Sequence, residues 1–412
     1  SSNAESARHH SYWAAGERQR MFRDRGILLL AMGQTLAWSG LYYVFPALLL
    51  RWEQELGWSK ADLTAAIMMA VLISGLVSPI AGRIIDRARG PALMAGSAIL
   101  GGIALLFLSM VSALWQFYVV WAVIGLAMSG CLYEPCFALV TRVRGAEAKR
   151  GIIFITLIAG FASTISFPIV HTLAEVYGWR GTVIFFGLLV VFIVAPLLWL
   201  GGRDLEIAGK KNPTPLMPET DAPHSFLSRP AFWFLSIGFS LVAIVHGATL
   251  HHFLPILNER GLSSEMAVLA ASFIGPMQVA GRLAMIAADK YTSNHSIAVA
   301  AFILMGVAVL LLRFSGSSPA FLSASIILFG GAYGTVSILR PLIAREILGS
   351  RNFGAKSGAL ALPYLAASAS APFLGAIIWG ISGYDTLLNV LAGLAVVGCA
   401  LYVVSHRLAV QA

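Results

Sequence analysis

Twelve apolar runs, each near the length that crosses a bilayer, dominate this chain. They fall at 26–50, 63–82, 91–112, 114–140, 151–173, 182–201, 231–256, 265–288, 296–315, 318–343, 357–380 and 384–405. A helical span needs roughly 20 apolar residues. Lipid offers no partner to an unpaired backbone group, so each run is expected to be helical. A barrel would need ~10-residue strands of alternating polarity, which the sequence lacks. Composition agrees: 58% of residues are hydrophobic and 11% charged, against about 45–50% and about 25% in soluble domains. So few charges cannot cover a water-soluble globule, which excludes a soluble enzyme. Disordered and collagen-like chains are excluded as well.

The net charge of +9 does not point to nucleic acid, because its placement follows the spans. If the N-terminus is cytoplasmic, 21 Lys and Arg fall in inner segments and 5 in outer ones. The positive-inside rule then puts both termini in the cytoplasm. Cys131, Cys136 and Cys399 lie in apolar runs with no disulfide or metal spacing. No metal or cofactor is expected. Ser2-Asn3-Ala4 reads as a tag remnant, so residues 1–25 are taken as a cytoplasmic tail and the first apolar run as a retained span.

The two halves of the chain repeat. Gly57-Trp58-Ser59 matches Gly261-Leu262-Ser263 at an offset of 204, and Asp86-Arg87 matches Asp289-Lys290 at 203. Glu134-Pro135 matches Arg340-Pro341 at 206, Pro168 matches Pro372 at 204, and Gly178-Trp179 matches Gly383-Tyr384 at 205. The expected domains are a six-helix bundle at 26–201, a polar linker at 202–229, a second bundle at 230–405 and a tail at 406–412. Parallel repeats with a solute site at their interface are a recurring transporter plan.

The segment Gly82-Arg-Ile-Ile-Asp86-Arg87-Ala-Arg89-Gly90 resembles the signature loop of the major facilitator superfamily, with Arg89 and Gly90 in reversed order. The resemblance covers about 26–405. It implies an all-α membrane fold of twelve helices in two pseudo-symmetric six-helix bundles, with helices one, four, seven and ten lining a central cavity. In the loop, Gly82 would permit close helix approach. Asp86 would face a helix N-terminus or an arginine such as Arg142, locking the inner side. Arg87 and the echo at Asp289 complete the gating candidates; the alternative is topogenic charge alone.

Charges inside spans are costly and mark function. Glu134 and Arg340 occupy equivalent places in helices four and ten, each before a proline that frees a carbonyl one turn earlier. They can pair, or Arg340 can hold a substrate anion while Glu134 takes a proton; snorkelling toward Arg345 is the other reading of Arg340. Gly281-Arg282 resembles the Gly-Arg of helix eight in monocarboxylate and oxalate–formate transporters. That resemblance implies contact with a substrate carboxylate; support of the inner gate with Asp289 is the alternative. Gln278 stands where those families can carry Asp. Gln34, Trp38 and Tyr42 share a helix face, and His246 and Tyr333 add further candidate substrate contacts. His251 and His252 are expected at a wetted outer surface.

No ATP site appears: Ala355 stands where the phosphate-loop lysine would be. The function expected is therefore secondary active transport of a small organic anion by alternating access, as symporter or antiporter, with the proton as candidate coupling ion. The first alternative is a carrier of a neutral or zwitterionic metabolite, vitamin or xenobiotic. The second is a non-transporting membrane sensor. Partners are the solute, membrane lipid and protons, with no nucleic acid, and the chain is expected as a monomer in a bacterial inner membrane.

Overall fold

The computed structural model describes residues 24–144, 148–211, 225–288, 291–348 and 353–411. Ten helices are long and apolar enough to cross a membrane, against the twelve expected. Two of the ten, Arg150–Gly209 and Ala359–Val410, run for 60 and 52 residues. At 1.5 Å per residue, 60 residues reach ~90 Å, about three times the hydrocarbon core. Neither is a single span. Each is broken by one glycine, Gly178 (φ 68°, ψ 174°) and Gly383 (φ 75°, ψ 178°), where the chain leaves the helix.

With the stretches on either side numbered separately, the helices are α1 Arg25–Leu56, α2 Lys60–Asp86, α3 Gly90–Leu108, α4 Leu114–Arg144, α5 148–177 and α6 179–211. The second half has α7 Pro230–Glu259, α8 Ser264–Ala288, α9 Asn294–Leu312, α10 Pro319–Leu348, α11 353–382 and α12 384–411. One hydrophobic cluster is built mainly from α1–α6 and the other from α7–α12.

The repeat is written into the backbone. All four positive-φ glycines among the described residues form two matched pairs, Gly57 with Gly261 and Gly178 with Gly383. Ser59 caps α2 through Asp62 N, and Ser263 caps α8 through Met266 N. A close helix crossing repeats too. A Cβ on Gly125 of α4 would fall on the Ala70 backbone of α2, and one on Gly330 of α10 would lie 2.8 Å from Ile274 O of α8. Both residues of the first crossing recur 204 or 205 positions later.

Gly178 and Gly383 sit in a region of φ/ψ that is nearly restricted to glycine and costs other residues about 1–3 kcal/mol. Gly178→Ala and Gly383→Ala are each expected to lower thermal stability by about that much. Gly380→Ala is the control, since its added Cβ meets nothing within 4 Å. Equal melting curves for all three would remove the turn role.

Helix α6 continues to Lys211, ten residues past the end of its apolar run. Its charged extension contains no proline and is held by ion pairs, Arg25–Asp204 at 3.4 Å and Arg142–Glu206 at 2.5 Å. Arg144 also pairs with Asp24. The start of α1 and the ends of α4 and α6 therefore share one face of the molecule. The opposite face carries Trp58 and is called the Trp58 face.

Candidate functional site

Local breaks place the site. Helix α1 contains a π-helical turn at Ser39–Tyr43, just after Trp38. Such turns insert one extra residue and re-aim the side chains that follow. Ser39 holds the turn against α5: its Oγ donates to Ala162 O at 2.9 Å, and Ser166 Oγ donates to Ser39 O at 3.0 Å. Trp38, Tyr42 and Tyr43 then project as a cluster, with Trp38–Tyr42 centroids 5.1 Å apart and Tyr42–Tyr43 centroids 5.4 Å apart.

Helix α4 breaks at Leu132, which has extended backbone (φ −87°, ψ −152°). Pro135 has no N–H to return to Cys131 O, one turn back. Gln34 Nε2 of α1 donates to that carbonyl instead, at 2.8 Å. Gln34 is fully buried, so its amide supports the break and does not line open space. Beyond the break, Tyr133 packs on Trp38 at 4.8 Å and stacks on Phe137 at 4.8 Å. Glu134 stands next to Tyr133 and is exposed although it lies well inside α4. Arg340 of the other half is its charged neighbour.

The second half supplies the facing wall. Arg340 of α10 lays its guanidinium over the Tyr364 ring, 3.8 Å from Cζ to centroid. Tyr364 and Tyr333 hydroxyls meet at 3.3 Å, and His246 stacks on Tyr333 and Phe329. Arg340 Nη1 is buried with no hydrogen-bond partner. Arg340 is the charged neighbour of Glu134, yet among the described residues no ion pair joins them. Each is left able to bind something else.

Arg282 is buried, and two of its donors are committed. Nη1 donates to Thr156 O of α5 at 2.5 Å, and Nε donates to Ser337 Oγ of α10 at 3.3 Å. The first bond crosses from one half to the other. Gly160 and Gly275 face each other at the same seam and allow α5 and α8 this close approach. Tyr43 has Arg282 and Gln278 as polar neighbours, and Gln278 Nε2 is buried without a partner.

Toward the Trp58 face the halves are in contact. His251 of α7 packs its ring against Tyr42 and Phe45, at 5.4 and 6.0 Å. Lys60 of α2 lies 3.8 Å from the Trp379 ring centroid of α11 while its Nζ holds Glu53 at 2.7 Å. His251 and His252 are therefore not wetted surface residues. Both are buried: His251 Nδ1 lies 2.9 Å from Gly247 O, and His252 bonds Pro372 O at 2.8 Å and Tyr384 Oη at 3.1 Å. Apolarity alone did not reveal that α1 and α11 would close over this end of α7.

The loop after α2 also differs from expectation. A Cβ on Gly82 would meet nothing within 4 Å, so close helix approach is not its role. Arg142 pairs with Glu206, a partner on α6 that the linker boundary had hidden. Arg87 is exposed. Ala88 has φ 58°, a left-handed conformation that costs a non-glycine residue roughly 1–2 kcal/mol. The Asp86 side chain and Asp289 lie outside the described residues.

Sequence reasoning missed Tyr43, Tyr133 and Thr156. The adjacency of Tyr133 to Glu134 was a readable signal. The Thr156 carbonyl was not, since any residue supplies one.

The model of the Major Facilitator Superfamily matches residues 27–293, well over half of the chain. The chain belongs to this superfamily. The MFS transporter asaE of Aspergillus flavus is 22% identical over 340 residues, covering 81% of this chain and 74% of that protein. Monocarboxylate transporter 12 of Xenopus laevis is 23% identical over 338 residues, covering 74% and 72%. Among solved structures, a bacterial homologue of the human lysosomal transporter Spinster, inward-facing and unoccupied, superposes with a TM-score of 0.68 at 16% identity, covering 95% of this chain and 98% of that one. The peptide transporter POT in complex with alafosfalin gives 0.70 at 14% identity, covering 93% and 95%. These likenesses establish a major facilitator fold of membrane-spanning helices. Family and relatives make the chain a transporter and not an enzyme, acting on a small-molecule solute.

Proposed function

We propose that this transporter moves a small organic anion by alternating access, driven by a gradient, with Arg340 as anion anchor and Glu134 as the proton-sensitive group. One observation carries the reading. The Arg340 guanidinium is fixed on Tyr364 yet keeps a buried, unpartnered Nη1, beside a carboxylate that it does not pair with. A buried donor without an acceptor costs about 1–3 kcal/mol, which an incoming carboxylate relieves. Charge points the same way: two arginines and one glutamate surround the space, so an anion balances it. The printed name of the frog relative, a monocarboxylate transporter, fits. Arg282 and Gln278 form the rest of the polar rim, while Trp38, Tyr42, Tyr133 and Tyr333 supply apolar walls.

A neutral or zwitterionic solute is the second reading, supported by that aromatic lining. Thermal stability against carboxylates, amino acids, sugars and vitamins separates the two. A ligand at 100 times its dissociation constant adds about 2.7 kcal/mol of stability. Carboxylates are expected to stabilise the wild type and not Arg340→Ala. If a neutral solute stabilises both equally, the anion reading fails.

The shared face of Arg25, Arg142, Arg144 and Arg203 is proposed to be cytoplasmic, in a bacterial inner membrane. The matching strained loop at Ala88 and its Asp86 remain the proposed inner gate, and the protein is proposed to work as a monomer.

A further inference from the structure

A groove of about 390 Å³ runs along the outer side of the α5–α8 seam, away from the central site. The two helices touch beside it, where Thr164 Oγ1 donates to Ser272 O at 2.8 Å. Helix α5 contributes His171 and Thr172, and α8 contributes Glu265, Leu269, Phe273 and Pro276.

Polarity changes along the groove. Glu265 lies in the first turn of α8 and is exposed, with His171 across the seam as its titratable neighbour. Leu269 and Phe273 follow at successive turns and are 53% and 50% exposed. From Glu265 to Pro276 is eleven residues, ~16 Å along a helix, which is about half the ~30 Å hydrocarbon core. The groove is thus one leaflet deep, charged at the rim and apolar below. An amphiphile embedded in a leaflet has the same layout. The rim offers a carboxylate that accepts hydrogen bonds and an imidazole that can donate one, which suits a headgroup that carries an ammonium and a phosphate.

We propose that this groove binds a phospholipid whose zwitterionic headgroup bears a primary ammonium. The ammonium donates to the Glu265 carboxylate, the phosphate lies toward His171, and one acyl chain follows Leu269 and Phe273. The site lies outside the cavity proposed for the solute and does not depend on that reading. Its walls belong to different halves, so a lipid seated there favours the arrangement in which it fits, as any ligand with unequal affinity for two states must.

The test uses the full chain in nanodiscs of phosphatidylcholine, with phosphatidylethanolamine or its N-methylated analogues added. Lipid retention is read by native mass spectrometry and stability by melting. The wild type is expected to retain phosphatidylethanolamine about tenfold over phosphatidylcholine, the worth of one charge-assisted hydrogen bond, with the preference falling as methyl groups replace N–H donors. Glu265→Gln is expected to lose the preference. Leu269→Trp, which fills the groove and leaves the charge, is expected to lose retention of both lipids. Equal retention of the two lipids by the wild type overturns the proposal. So does an unchanged preference in Glu265→Gln, or a preference for anionic lipid that ignores the amine.

Discussion

Gly125→Leu is expected to abolish the folded protein, and Gly330→Leu to do the same. At Gly125 even a Cβ would overlap the Ala70 backbone, so it has no flexible side chain to push aside. At Gly330 the nearest atoms are Met277 Cβ at 2.5 Å and Ile274 O at 2.8 Å. In a membrane, helices associate through such close packing of small residues, because lipid tails are as apolar as leucine and provide no hydrophobic drive. Inserting one methylene into a tight core costs about 1–3 kcal/mol. Leucine adds four carbons at a backbone contact, and the whole fold is stable by only ~5–15 kcal/mol. Size-exclusion profiles of the two variants should show aggregate or no protein. Gly96→Leu and Gly393→Leu, where an added Cβ meets nothing within 4 Å, should elute as the wild type does. A monodisperse Gly125→Leu protein with wild-type melting would show that α2 and α4 do not pack this way.

That crossing also marks how far the sequence could be read. Apolar length revealed the helices, because lipid imposes it. Offsets of 203–206 revealed the repeat, and the structure places glycine turns, serine caps and crossings at the same spacing. What stayed hidden depends on contacts between distant segments. The amide of Gln34 serves a carbonyl 97 residues away, and Arg282 reaches one 126 residues away. Pro135 did announce that Cys131 O would need a donor, but not which residue would provide it. His251 and His252 looked like surface residues because their neighbours in sequence mark a helix end. Their burial comes from Tyr42, Phe45 and the α11 glycine at Gly375, where a Cβ would strike the His252 ring. Helix α6 runs ten residues into the segment read as a linker for a related reason: charge ends an apolar run without ending a helix.

Arg340→Gln is expected to weaken binding of the transported anion by about 10–150-fold. Losing a hydrogen bond from a charged donor costs about 1.5–3 kcal/mol, and each 1.4 kcal/mol is tenfold. The companion variant separates function from scaffolding. If Glu134 and Arg340 formed a buried structural pair, Glu134→Gln would strand a charge and destabilise the protein by about 3–5 kcal/mol. Glu134 is instead exposed, and among the described residues no ion pair holds it, so Glu134→Gln should melt as the wild type does. Its effect should appear in the pH profile. An ionised Glu134 competes with the anion for the field of Arg340; a protonated one does not. Flux into liposomes should therefore rise as the loading side is acidified in the wild type and lose that slope in Glu134→Gln. A double-mutant cycle on anion affinity should give a coupling of about 0.5–3 kcal/mol, the range for neighbouring sites. A coupling near zero, with a full pH response retained in Glu134→Gln, would separate the two residues and leave Arg340 to act with Arg282 alone.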